Sequence, residues 1–238
     1  MPDISLLIPN AARPAALRRM LRSALETAMH PRRIEIVVTV DRNQPELAQF
    51  DFPFLAVHKV AGPQWQMGRA LERCLAASRG SALLLASEDS LFQSFGWDSA
   101  FLHEMERFED GIALAWGADG SEATPVSPCI SRTACELLGG LCPVTLHRYH
   151  AAAHLNDVFQ QMADLGYNRR AFLPEVLIDQ VPDQNRQMDP QDLVDADFDE
   201  RTYISWDEER GLLAQDLARH IVATAALTNR SPAIRQAA

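Results

Sequence analysis

Two carboxylate-bearing stretches in this chain stand where apolar runs stop. Ile34–Val40 ends in Asp41, and Ala82–Ala86 runs into Ser87-Glu88-Asp89-Ser90. A third run, Ile4–Ile8, is stopped by Pro9-Asn10. A carboxylate at a strand end can accept hydrogen bonds from a base or a ribose hydroxyl. An adjacent acidic pair offers hard oxygen ligands to Mg²⁺ or Mn²⁺ holding a diphosphate. The same residue types are also ordinary turn formers, so Asp41 and Glu88-Asp89 have that second reading.

Two other clusters have chemical potential. His150 and His154 are four apart and would share a face of a helix, with His147 nearby. A metal centre there would need a further ligand from elsewhere in the chain, so the three histidines read as acceptor-loop or surface residues. Asp195, Asp197 and Asp199 have the spacing of a calcium loop. Glu200 stands where that loop needs glycine and Trp206 where it needs a bidentate glutamate, which leaves a solvated acidic loop as the expectation. Trp65, Trp97 and Trp116 could stack on a sugar or simply pack, and Trp65, after Gly62-Pro63, is the most exposed by context.

The elements that would position these residues follow from periodicity. Leu17, Met20, Leu21, Ala24, Leu25 and Ala28 form one apolar stripe at helical spacing. Strands are expected at Ile4–Ile8, Ile34–Val40, Phe54–Val60, Ala82–Ala86, Ile112–Trp116 and Ala171–Ile178. Helices are expected at Met67–Ser78, Trp97–Phe108, Arg132–Leu138, from about Asn156 to Gly166, and over 207–227. Strand and helix alternate through residue 116, the pattern of a mostly parallel sheet covered on both faces. In such sheets ligands bind beyond the carboxyl ends of the strands, where the three loops above lie.

Composition narrows the function classes. The 238 residues carry a net charge of −10 with a single lysine, Lys59, so no basic stripe offers itself to a nucleic-acid backbone. No apolar run reaches the 18 or so residues that span a bilayer, and the first ten residues lack a basic leader, which makes a cytoplasmic protein without an integral membrane segment the expectation. Cys74, Cys129, Cys135 and Cys142 have no CxxC spacing and read as reduced core thiols. No GxGxxG follows the first strand, which disfavours a dehydrogenase, and the loop Asn10–Arg13 lacks the glycines of a nucleotidyltransferase.

Several segments in order resemble the family-two GT-A glycosyltransferases. ISLLIPN-AARP followed by an amphipathic helix and IEIVVTVD is similar to the opening of that family. GRALERCLAASRGSALLLASEDSLFQSFGWD is similar to its next block, with an acidic motif and a closing Gly96-Trp97-Asp98. SPCISRTACELLGGL resembles the acceptor-side segment, and HLNDVFQQMADLGYNRRAFLPEVLID the block that opens with the catalytic base. The resemblance covers roughly residues 3–180. It implies a GT-A fold over 1–182, with a nucleotide-binding half at about 1–116 and an acceptor half at about 117–182. An acidic loop and a last helix over 183–238 would pack on the same domain.

By the same resemblance, Pro9, Asn10, Arg13, Asp41, Gly68 and Glu88 would bind a UDP- or GDP-type sugar donor. Asp89 would hold Mn²⁺ or Mg²⁺, and Trp97, Asp98, Asp119 and Arg132 would lie on the side of an unidentified acceptor. Asp157 would be the general base of an inverting transfer, near a helix start whose dipole favours the carboxylate; it reads also as a helix cap. The chain departs from the family at three places. Arg42-Asn43-Gln44 follow Asp41, the metal motif is Glu-Asp-Ser, and Gln180 stands where relatives have a metal-binding histidine, leaving Asp179 as the substitute ligand. A degenerate, non-catalytic binding or scaffolding relative is the alternative that these departures allow.

Overall fold

A computed structural model of the chain describes residues 2–48, 51, 57–118, 125–181 and 189–230. Strands β1 (Ile4–Ala11), β2 (Ile34–Asp41), β3 (Val57–Gly62) and β4 (Ala82–Leu85) are parallel neighbours in the order β3-β2-β1-β4. The sheet continues through the three-residue β7 (Cys129–Ser131), which is antiparallel to β4, and then β6 (Leu114–Ala118). It ends with β8 (Arg170–Gln180), parallel to β6, and the short antiparallel β5 (Ser90–Phe92) at its edge. The expected mostly parallel α/β sheet is observed. β5 and β7 were not expected, because three residues are too few to show a period.

Alternation along the strands divides the core between two faces. Leu6, Ile8, Ile36 and Val38 meet α1 (Pro14–Thr27) through Leu17, Met20, Leu21 and Ala24, and meet α4 (Trp97–Glu106) through Trp97 and Phe101. The short α2 (Pro45–Ala48) follows β2. Leu7, Val37 and Leu83 face the other way, onto α3 (Met67–Ala77), α5 (Arg132–Leu137) and α6 (Ala151–Asp164). Glu35 also points to that second face. It is buried and accepts from Ser5 Oγ at 2.5 Å, Gly80 N at 2.9 Å and Arg79 N, so the turn before β4 is anchored where a lone charge would be costly.

Two helices differ from expectation. α6 begins at Ala151, not near Asn156, after His150 in a left-handed conformation with φ 66°. The acidic stretch 183–200 was expected to be a solvated loop. Its described part, with the residues that follow, is α7 (Pro190–Ser205), opened by a capping box of Asp189 and Asp192. Its buried positions are Asp192 and Asp199, so the inward face is polar and carries no apolar stripe to read. α8 (Asp207–Arg230) then packs on α6 through Ala214, Leu217 and Ile221.

Gly68 shows how tightly α3 is seated. A Cβ at this position would meet the Pro143 carbonyl oxygen at 2.2 Å and Val144 Cα at 2.7 Å, both backbone atoms, while Gly68 N donates to Leu146 O at 2.9 Å. Its place is a packing contact between α3 and the 143–146 segment, and it does not line the cavity formed by the loops after β1 and β4. Gly68→Ala should cost about 1–3 kcal/mol as an overpacking change. The melting temperature should fall by several degrees, at roughly 2–4 °C per kcal/mol for a chain of this size; a thermal melt checks this.

Candidate functional site

The loops after β1 and β4 meet at the carboxyl edge of the sheet. Asn10 takes a left-handed conformation, φ 52°, which asparagine tolerates better than most residues. Its backbone N–H donates to Thr39 Oγ1 and its side chain to Trp65 O, both at 2.7 Å. Across the gap, Glu88 accepts from Ala12 N and Arg13 N at 2.9 Å each and from Arg13 Nε at 2.6 Å. Arg13 Nη2 donates to Asp89 at 2.7 Å. Burial alone would lower the Arg13 pKa, but the hydrogen bonds to Asp89 and Glu88 outweigh it and raise it. The guanidinium marks a place where these two carboxylates favour a cation.

These loops border a cavity of about 720 Å³, a size suited to a small organic ligand. Pro9, Asn10, Arg13, Glu88 and Asp89 line one part of it, and Trp65 and Gln66 another. Trp65 lies against Gly62, where a Cβ would fall 2.0 Å from the indole ring; that residue must be glycine for the ring to sit there. Asp41 pairs with Gly62 in the β2–β3 register and accepts from Asn43 N at 2.9 Å. It is not among the lining residues, so the expected base or ribose contact is not assembled around the cavity itself.

The remaining wall comes from far along the chain. Asp199 of α7 is fully buried and accepts the backbone N–H groups of His147, Arg148 and Tyr149 at 2.7 Å each. His147 Nδ1 lies 2.9 Å from Asp195 Oδ1, its ring stacks on Phe198 at 4.2 Å, and Arg148 pairs with Asp192. His147, Arg148, Gln191 and Asp195 all line the cavity. None was singled out as a donor-site residue from sequence. The sequence signal for this wall is the acidic run at 192–199, whose spacing reads as a solvated loop.

Other expected site residues lie elsewhere. Trp97 is buried between Phe92 and Phe101, donates to Ala24 O at 2.9 Å, and so belongs to the core and not to an acceptor surface. Asp98, also buried, accepts Met29 N and His30 N and closes the turn after α1. Arg132 donates to Gly80 O at 2.6 Å and Ser78 Oγ at 2.9 Å, tying down the turn before β4. Asp119 lies outside the described residues. Asp179 accepts from Gln93 and points away from the acidic loop, because β8 alternates. Its neighbour Gln180 bonds with Ser87 at 3.2 Å and Ser90 at 3.3 Å instead.

Asp157 occupies the second turn of α6, past the reach of the helix N-terminus invoked for it. It accepts from Tyr203 Oη at 3.0 Å and pairs with Arg210, whose Nε is 3.0 Å away and whose side chain is 3% exposed. It does not line the cavity. In the structure Asp157 ties α6 to the C-terminal helices.

Among the described residues, no group of three His, Cys, Asp or Glu side chains converges to hold a metal ion. Glu88 and Asp89 nevertheless fit one in donor type and place, since Mg²⁺-like ions commonly take one or two carboxylates and complete their shell with substrate phosphates and water. No helix among those residues is long and apolar enough to cross a membrane.

The architecture is a GT-A-like α/β fold. It is similar to the mannosyltransferase PcManGT from Pyrobaculum calidifontis, solved with GDP-Man and Mn²⁺, at a TM-score of 0.61 and 15% identity over 98% of this chain and 82% of that one. It is also similar to S. aureus TarS, at 0.57 and 13%, covering 92% of this chain and 43% of that one. For TarS 1-349 in complex with UDP the values are 0.56 and 14%, covering 92% and 72%. No protein-family model matches the sequence, and no curated protein does.

His154 supplies a test of how α7 and α8 close over α6. Burial, and secondarily the charge of Arg210, push its pKa from 6.5 down to about 4. Because the folded state binds the proton less readily than the unfolded state, stability is fully present above pH 6.5 and is lost as pH falls toward 4. The loss should approach roughly 3 kcal/mol. His154→Gln should flatten this part of a denaturation-versus-pH curve, and an unchanged slope would refute the assignment.

Proposed function

We propose that the protein transfers a sugar from a nucleoside-diphosphate sugar to an acceptor hydroxyl. The observation that carries this reading is the cavity at the carboxyl edge of a GT-A-like sheet, bordered by Arg13, the Glu88-Asp89 pair and Trp65. Arg13 and Arg148 are the lining cations that a diphosphate would meet, each paired with carboxylates in this structure, and the indole of Trp65 offers a flat surface to a base or sugar. A divalent cation on Asp89 and Glu88 would supply charge compensation to the departing diphosphate. Direct displacement with inversion is the proposed stereochemistry, and Mn²⁺ in the Pyrobaculum complex favours that ion for the first trials. Asp41, beside the Trp65–Gly62 contact, remains a proposed contact for the outer part of the nucleotide.

The engagement of Glu88 by the β1–α1 loop and the place of Asp157 outside the cavity support one other reading, a GT-A-like module that binds donor without turning it over. Turnover separates the two.

Thermal melts with UDP, GDP and their sugars, each with and without Mn²⁺, test the donor site. Nucleotide and Mn²⁺ together should raise the melting temperature more than the sum of either alone, since each completes the other's ligand set. Trp65→Ala should reduce that shift while leaving the unliganded melt nearly unchanged. Absence of any shift across the panel would end the donor reading.

A further inference from the structure

With Asp157 drawn into the α6–α8 contact, the proposed transfer needs a proton acceptor that faces the cavity. The lining acids Glu88 and Asp89 are both engaged by Arg13. From the remaining geometry we infer that His147 is the general base, oriented by Asp195. This inference rests on the transferase reading above.

The dyad is fixed from three directions. Asp199 holds the His147 backbone N–H at 2.7 Å, Phe198 stacks on the imidazole at 4.2 Å, and Asp195 binds Nδ1 at 2.9 Å. The hydrogen bond from His147, with a second from Gln191, keeps the Asp195 carboxyl below the usual carboxylate range. An ionised carboxylate only accepts, so Nδ1 carries the hydrogen, and in the neutral form of the ring the lone pair lies on Nε2. Nε2 has no hydrogen-bond partner among the described residues. A held imidazole on the cavity wall, with one nitrogen oriented by an acid and the other without a hydrogen-bond partner among the described residues, is the arrangement that general-base chemistry requires. His150 and His154 lack it, since Nε2 of the first pairs with Glu200 and the second is buried.

In the step that follows, Nε2 takes the proton of the attacking hydroxyl as its oxygen bonds to the anomeric carbon. The bond from that carbon to the diphosphate oxygen breaks, and the nucleoside diphosphate leaves with the electron pair. The imidazolium remains beside Asp195 until it passes its proton to water. The charged groups around it are Asp195, Asp192 and Asp199 of α7, with Arg148 next in the chain; Met67 of α3 contributes only its backbone N–H, to the His147 carbonyl.

The test uses GDP-mannose and UDP-glucose with Mn²⁺ and water as the acceptor, following release of the nucleoside diphosphate against pH. His147→Gln should lower kcat by about 10²–10⁴-fold with KM changed less than about threefold, and should abolish the acid limb of the profile. Asp195→Asn should lower kcat less and displace that limb, while Asp157→Asn should retain wild-type kcat. A His147→Gln rate within about threefold of wild type, or an unaltered acid limb, overturns the dyad while a nucleotide-induced melting shift leaves the donor site standing. Independently of turnover, diethyl pyrocarbonate should modify His147 ahead of His154, as mapped by peptide mass spectrometry, and GDP with Mn²⁺ should slow it. An unreactive His147 overturns the inference even in an active enzyme. Failure of the donor reading looks different: no nucleotide shifts the melt and none protects His147, which overturns both.

Discussion

The carboxylate of Asp199 is the contact on which the cavity depends. It is fully buried, and a buried charge survives only with its hydrogen-bonding capacity met. Three consecutive backbone N–H groups, from His147 to Tyr149, meet it. That contact draws the 147–149 segment against α7 and brings His147 and Arg148 to the cavity wall. The same helix then holds their side chains through Asp195 and Asp192. One helix thereby supplies both the backbone anchor and the side-chain partners of a loop some fifty residues earlier.

The opposite wall is organised by the same chemistry with the roles exchanged. There a carboxylate from the β4 loop, Glu88, gathers two backbone N–H groups and the guanidinium of Arg13 from the β1 loop. Parallel pairing of β1 with β4 makes this possible, because it sets both carboxyl ends on one edge. The consequence for chemistry is mixed. Glu88 takes three hydrogen bonds from the β1 loop, while Asp89 takes one from Arg13.

The C-terminal helices extend the pattern along α6. His150 stacks on Tyr203 at 4.9 Å, His154 meets Trp206 edge-on at 6.1 Å, and Asp157 meets Tyr203 and Arg210. From Tyr203 through Trp206 to Arg210 the partners advance by about one turn at a time, so α7 and the start of α8 track the 150–157 segment as a strap. The three histidines that looked like an isolated cluster in the sequence are each turned toward a different aromatic ring. Their spacing reflects helical packing and not a shared ligand.

What the sequence determined by itself is the part that local periodicity encodes. The stripe Leu17-Met20-Leu21-Ala24 and the runs Ile34–Val40 and Ala82–Ala86 are buried as their patterns require, and the acidic pair Glu88-Asp89 lies at the strand end where it was expected. The tertiary structure decided which polar residues serve the cavity. Trp97, Asp98 and Arg132 have the side chains of site residues, yet each meets its partners inside the scaffold. Asp195 is 48 residues from His147 and lies on a helix whose inward face is acidic, so no hydrophobic period announced that helix or its direction. A one-dimensional pattern reports which face is apolar; it does not report which distant backbone N–H a buried carboxylate will satisfy. That pairing is made only when α7 closes over the chain.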